Sequence, residues 1–106
     1  MFTQKMQAAM NDQIQHEIES AYIYLSMAAY FDAENLPGFA HWMKTQYEEE
    51  MAHAFRIYDY VNDRGGRVKL QPIDQPTVVF DSPLAAFQAA LEHEQKITGD
   101  INRLYA

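Results

Sequence analysis

The chain contains no cysteine, which excludes disulfide staples and thiolate metal ligands, so any metal site must use oxygen and nitrogen donors. Basic residues are scarce as well. Eight Lys and Arg stand against fifteen Asp and Glu, a formal charge of −7 that argues against nucleic acid and anionic membranes as partners and favours cations. No uninterrupted apolar run approaches the ~20 residues of a membrane span. The start, Met1-Phe2-Thr3-Gln4-Lys5-Met6-Gln7, also lacks the apolar region of a signal peptide. A soluble cytoplasmic protein is the expectation.

With 48% hydrophobic and 13% aromatic residues over 106 positions, there is material for one core, and a single domain over 1–106 is expected. No proline or glycine interrupts Gln4 to Glu34. There Met10, Ile14, Glu17, Ala21, Tyr24, Ala28 and Phe31 recur in steps of three and four, a helical seam widened by Ile18 and Leu25. Asn35-Leu36-Pro37-Gly38 ends it, since proline cannot continue a helix but suits a new first turn. A second seam runs through Met43, Gln46, Glu50, His53, Ile57 and Tyr60, supported by Phe39, Trp42 and Val61, and stops at Gly65-Gly66. The short link predicts an antiparallel hairpin.

Residues 67–81 carry Pro72 and Pro76 among Val68, Ile73, Val78 and Val79, and they read as an extended connection. About 15 extended residues can cross a bundle lengthwise, so the third helix can run parallel to the second. Ser82 suits the cap and Pro83 the first helical position. Leu84, Phe87, Leu91, Glu94, Thr98 and Ile101 are the expected third seam. The predicted fold is therefore all-α, an up-down helical bundle with a long crossover after the second of three helices.

Carboxylates break into each apolar seam. Glu50-Met51-Ala52-His53 sets a carboxylate and an imidazole at i and i+3, side by side on one helix wall. Glu17 and Glu94 intrude in the other two seams. An unpaired buried carboxylate costs several kcal/mol and needs a partner, and one bound cation would partner all of them. Two-metal bundles use this donor set, single Glu residues from two helices and Glu-x-x-His from two others, and oxygen donors with imidazole suit iron or manganese. Each residue alone has a plainer reading: a surface Glu-x-x-His, a carboxylate at a seam edge, a core tyrosine. Their joint occurrence carries the inference. Tyr24 lies two turns from Glu17 on the same face, in range to hydrogen-bond a ligand or supply an electron. Glu49 points about 100° away from Glu50 and suits only a nearby transit cation. His16, His41 and His93 sit off the seams as solvated or interface side chains, and nothing predicts a haem ligand.

These residues, together with Leu25-Ser26-Met27-Ala28, Tyr30-Phe31-Asp32-Ala33-Glu34, Gly38-Phe39-Ala40-His41-Trp42-Met43, Glu49-Glu50-Met51-Ala52-His53, Arg64-Gly65-Gly66-Arg67-Val68 and Glu92-His93-Glu94, make the chain resemble the non-haem bacterial and archaeal ferritins throughout. The resemblance implies a ferritin-like bundle and a di-iron ferroxidase centre. In it Glu17, Glu50, His53 and Glu94 match iron ligands, Tyr24 a nearby tyrosine, and Glu49 a carboxylate of an accessory third site. It also implies oxidation of Fe(II) by oxygen or peroxide and storage of ferric mineral in a shell of 24 subunits.

The family's subunit continues through the rest of the third helix, a fourth helix that adds ligands, and a short fifth. None of these is present, and the apolar seams would be left open on one side. Two expectations follow. The chain is a piece of such a subunit, or two copies pair so that each hairpin supplies Glu17, Glu50 and His53, an arrangement that resembles that of the short encapsulated ferritins and leaves the third helix, with Glu94, a spare element. A ferritin-like helical assembly protein without a complete di-iron centre is the alternative function.

Overall fold

The computed structural model describes the backbone of residues 2–105 and the side chains of residues 2–99. Three helices account for its regular structure: α1 (Gln4–Ala33), α2 (Pro37–Asp63) and α3 (Pro83–Tyr105). The all-α expectation holds, and no strand occurs among the described residues.

The three helix starts and the stops of α1 and α2 have local causes. The Thr3 hydroxyl accepts the Met6 N–H at 3.1 Å and caps α1. At its other end Leu36 N–H reaches Phe31 O at 2.9 Å and Asn35 N–H reaches Asp32 O at 3.2 Å, a Schellman stop with Asn35 in the left-handed region at φ 57°. Pro37 then opens α2 as its first residue, where its missing N–H costs nothing. The same stop closes α2: Gly66 N–H bonds Val61 O and Gly65 N–H bonds Asn62 O, with Gly65 at φ 73°. Ser82 Oγ accepts the Ala85 N–H at 3.0 Å ahead of Pro83 and α3.

With only residues 34–36 between them, α1 and α2 pack antiparallel along their lengths. The crossover then runs back over α1, held by side-chain amides at four-residue spacing. Gln7 Oε1 accepts the Arg67 N–H, Asn11 both donates to Arg67 O and accepts from Lys69 N–H, and Gln15 donates to Pro72 O. Ser26 Oγ donates to Thr77 O farther along. Ten extended steps, from residue 67 to residue 77, reach about 33 Å and so match the ~28 Å of helix between Gln7 and Ser26. This delivers α3 antiparallel to α1, with Phe87 against Phe31 and His93 against Tyr24. It therefore runs parallel to α2, as the crossover length predicted.

The core is built on α1. Tyr24, Met27, Ala28 and Phe31 are buried with Ala40 and Met43 of α2 and Ala86 and Ala90 of α3. Phe31 lies at its centre, with ring centroids 5.5 Å from Phe39 and 5.1 Å from Phe87. The expected third seam needs correction. Leu84 and Leu91 are 66% and 58% exposed, whereas Ala86 and Ala90 are buried; Thr98 is exposed, and the side chain of Ile101 lies outside the described residues. The physical reason lies in the partner surface: Ala86 and Ala90 fit beneath the large side chains Tyr24, Met27 and Phe31 of α1, which turns the leucines outward. Leu25 and Tyr60, placed on seams from the sequence, are likewise exposed. Phe39 and Trp42 of α2 stay largely open beside Phe87, so an apolar face lies between α2 and α3.

Candidate metal centre

The antiparallel hairpin brings Glu17 of α1 level with Glu50 and His53 of α2. One donor atom from each of these three residues lies within 4.8 Å of the other two, and no other group of three or more such ligands forms among the described residues. His53 Nδ1 is 3.6 Å from Glu17 Oε2 and 3.7 Å from Glu50 Oε2. Exposure is graded across the group, with 47% for the His53 side chain against 18% for Glu17 and 13% for Glu50. The site is therefore open at the imidazole and closed behind the carboxylates. Gln13, one turn before Glu17, donates to Glu17 Oε1 at 3.0 Å, which leaves the other oxygen aimed at His53. Sequence reasoning missed this support, although the i,i+4 spacing of Gln13 and Glu17 signals it.

Two carboxylates confined together repel. Burial, a hydrogen bond to Glu17, and the negative charges of Glu17 and Glu49 push the Glu50 carboxyl up to about 8. Near neutral pH Glu50 is thus mostly protonated and bonded to Glu17. A divalent cation relieves the same repulsion by replacing that proton, and hard oxygen donors with one imidazole suit iron or manganese.

Glu94 and Tyr24 form a second, separate contact. The Tyr24 hydroxyl, on a fully buried side chain, donates to Glu94 Oε1. Glu94 lies outside the Glu17/Glu50/His53 group, because it comes from α3 and meets α1 farther along. Glu49 is exposed and reaches the site through its charge on Glu50. His93, read from sequence as a solvated or interface side chain, is an interface residue: its Nε2 lies 3.0 Å from Ser20 Oγ of α1. Burial, and after it the Lys96 charge, lowers its pKa and favours the neutral ring. No helix among the described residues is long and apolar enough to cross a membrane.

A helical bundle with inward carboxylates and a Glu-x-x-His wall is the architecture of carboxylate-bridged metal proteins. The ferritin family, described as a ferritin-like domain, matches residues 7–106. The chain is 42% identical over 104 residues to the bacterial non-heme ferritin of Bacteroides fragilis (strain 638R), covering 98% of this chain and 65% of that protein. Against the bacterial non-heme ferritin of Staphylococcus aureus (strain USA300) it is 39% identical over 98 residues, 92% of this chain and 59% of that one. The fold superimposes with a TM-score of 0.89 on the open pore ferritin from the hyperthermophilic archaeon Archaeoglobus fulgidus, at 50% identity over 98% of this chain and 64% of that chain. The chain belongs to the ferritin family. It spans less than two thirds of the length of these relatives.

Proposed function

We propose that the chain serves iron storage as a cytoplasmic ferroxidase subunit, in which Glu17, Glu50 and His53 bind Fe(II) as substrate. The observation that carries the reading is the convergence of those three donors across the α1–α2 hairpin, supported by the non-heme ferritin relatives. Glu50 bridges two Fe(II) ions, His53 is a terminal ligand and Glu94 serves the second ion. Tyr24, bonded to Glu94, stands by as the nearby redox-active side chain, and Glu49 belongs to an accessory third site on the solvent side. Each Fe(II) gives up one electron; two electrons and two protons convert dioxygen to hydrogen peroxide, or two electrons split peroxide to two hydroxides. The Fe(III) product passes to mineral within a homo-oligomer, a 24-subunit shell or a pair of hairpins.

The exposed Phe39, Trp42, Leu84 and Leu91 favour a second reading, an assembly protein that uses this apolar face without a complete centre. Anaerobic Fe(II) titration separates the two, since only the ferroxidase reading gives saturable stoichiometric uptake. For the main reading, Glu50→Ala abolishes rapid Fe(II) oxidation while far-ultraviolet circular dichroism keeps its helical signal; unchanged oxidation kinetics overturn the assignment.

A further inference from the structure

The fully buried members of α3 against α1, Ala86 and Ala90, are small and smooth, and the large side chain between them, Phe87, is seated on Phe31 near the start of the helix. Beyond Phe87 such a contact does little to fix how α3 sits along and around α1. A slip of a single residue shifts α3 by about 1.5 Å and rotates every side chain by about 100°. It would carry Glu94 away from Tyr24.

The next residue on the Ala86–Ala90 stripe is His93, three positions beyond Ala90. Its Nε2 pairs with Ser20 Oγ at 3.0 Å, and Ser20 is a buried residue of α1. The imidazole stands edge-on to the Tyr24 ring, with centroids 5.8 Å apart and planes at 81°. One turn separates Ser20 from Tyr24 on α1, while His93 and Glu94 are consecutive on α3. The Ser20–His93 and Tyr24–Glu94 bonds thus close a four-residue circuit between the helices. Packing holds the imidazole incompletely, because it also lines a cavity of about 410 Å³ with Ile23, Met27, Thr77, Phe80 and Ala89. On this side of Phe87 the directional bond to Ser20 has to do what shape does not.

We infer that His93 is a positioning residue, whose hydrogen bond to Ser20 sets the register of α3 on α1 and thereby holds Glu94 against Tyr24. For iron oxidation this rests on the reading that Glu94 serves the second Fe(II). The inference is tested in two arms with His93→Leu, which keeps bulk, His93→Gln, which returns a polar group at the reach of Nε2, and Ser20→Ala. In the first arm, Fe(II) oxidation slows about tenfold in H93L and S20A, as expected when a residue supporting a ligand is lost. H93Q restores it, and the H93L/S20A double variant is no slower than either single one. In the second arm, the coupling between Tyr24→Phe and Glu94→Gln is measured by urea unfolding. It is present in the native background, absent in H93L and present again in H93Q. Coupling that survives in H93L, or fails to return in H93Q, overturns the inference. If the native chain does not oxidise iron but the coupling follows this pattern, the ferroxidase reading fails and the register role of His93 stands.

Discussion

Glu17 and Glu50 face each other from antiparallel helices, with His53 Nδ1 3.6 Å and 3.7 Å from one oxygen of each. Burial, then the hydrogen bond to Glu17 and the negative charges of Glu17 and Glu49, raise the Glu50 carboxyl to about 8. The folded chain therefore holds a proton that the unfolded chain releases near the ordinary value of 4.5. Stability from this group is complete below 4.5 and is lost as pH rises toward 8, because the native state binds more protons over that window. Glu50→Gln, which keeps the hydrogen-bonding shape without the charge, flattens this part of the profile. The check is the difference between native and E50Q urea midpoints at several values between pH 5 and 8; parallel profiles would contradict the shared proton.

The same proton competes with metal. Below pH 8 a cation that binds both carboxylates must displace it, so metal affinity rises by up to about tenfold per pH unit as long as one proton leaves per ion. Anaerobic titration calorimetry with Fe(II) in buffers of different ionisation enthalpy measures the proton count directly. In E50Q both the proton release and the steep pH dependence should disappear.

The crossover makes a separate prediction. The Asn11 side chain bonds both Arg67 O and Lys69 N–H, as a paired strand would, from a buried position. Asn11→Ala removes both bonds and should cost about 2 kcal/mol in urea unfolding. Asn11→Asp is the sharper variant, since it keeps the acceptor for Lys69 but turns an oxygen toward the Arg67 carbonyl. Hydrogen exchange at the Lys69 amide should accelerate strongly in N11A and less in N11D.

These residues also show what could be read in advance. The α1 seam was legible because Ile14, Ala21, Tyr24, Ala28 and Phe31 obey helical period and are buried together. The meeting of Glu17 with Glu50 and His53 was legible because a short link between two long helices leaves one antiparallel register. The rotation of α3 was not. Leu84 and Leu91 outweigh Ala86 and Ala90 on any hydrophobic scale, yet the alanines are the residues that fit beneath Tyr24, Met27 and Phe31, a choice made by the partner surface and not by α3. His93 was obscured for the same reason, since its face is defined by those alanines. The amide row of Gln7, Asn11 and Gln15 was visible as polar residues every four positions, but only the crossover gives it something to bind.

Phe31 tests the core. It contacts Tyr30, Phe39 and Phe87 and has no exposed surface, so it joins all three helices at one point. Phe31→Ala should destabilise by about 3–5 kcal/mol, against about 1 kcal/mol for Tyr24→Phe, which keeps its ring and loses only the bond to Glu94. Thermal unfolding followed by circular dichroism distinguishes the two. An equal loss would mean that the Tyr24–Glu94 bond, and not the aromatic centre, holds α3 in place.

The open face between α2 and α3 bears on how the chain lives in water. Phe39, Trp42, Leu84 and Leu91 are exposed together around Phe87, and burying such a patch gains about 25 cal/mol for each Å² removed from water. The chain should therefore associate, with a sedimentation mass of at least two chains. A mass near two favours hairpins paired through this face, each giving Glu17, Glu50 and His53 to a common centre; a mass near twenty-four favours a shell. Leu91→Lys puts a charge in the patch without touching the metal donors, so it should lower the mass in either case. It should also quench Fe(II) oxidation only if the second copy completes the site. A chain that stays monomeric at high concentration, with Trp42 fluorescence at the wavelength of a water-exposed indole, would show that this face needs no cover.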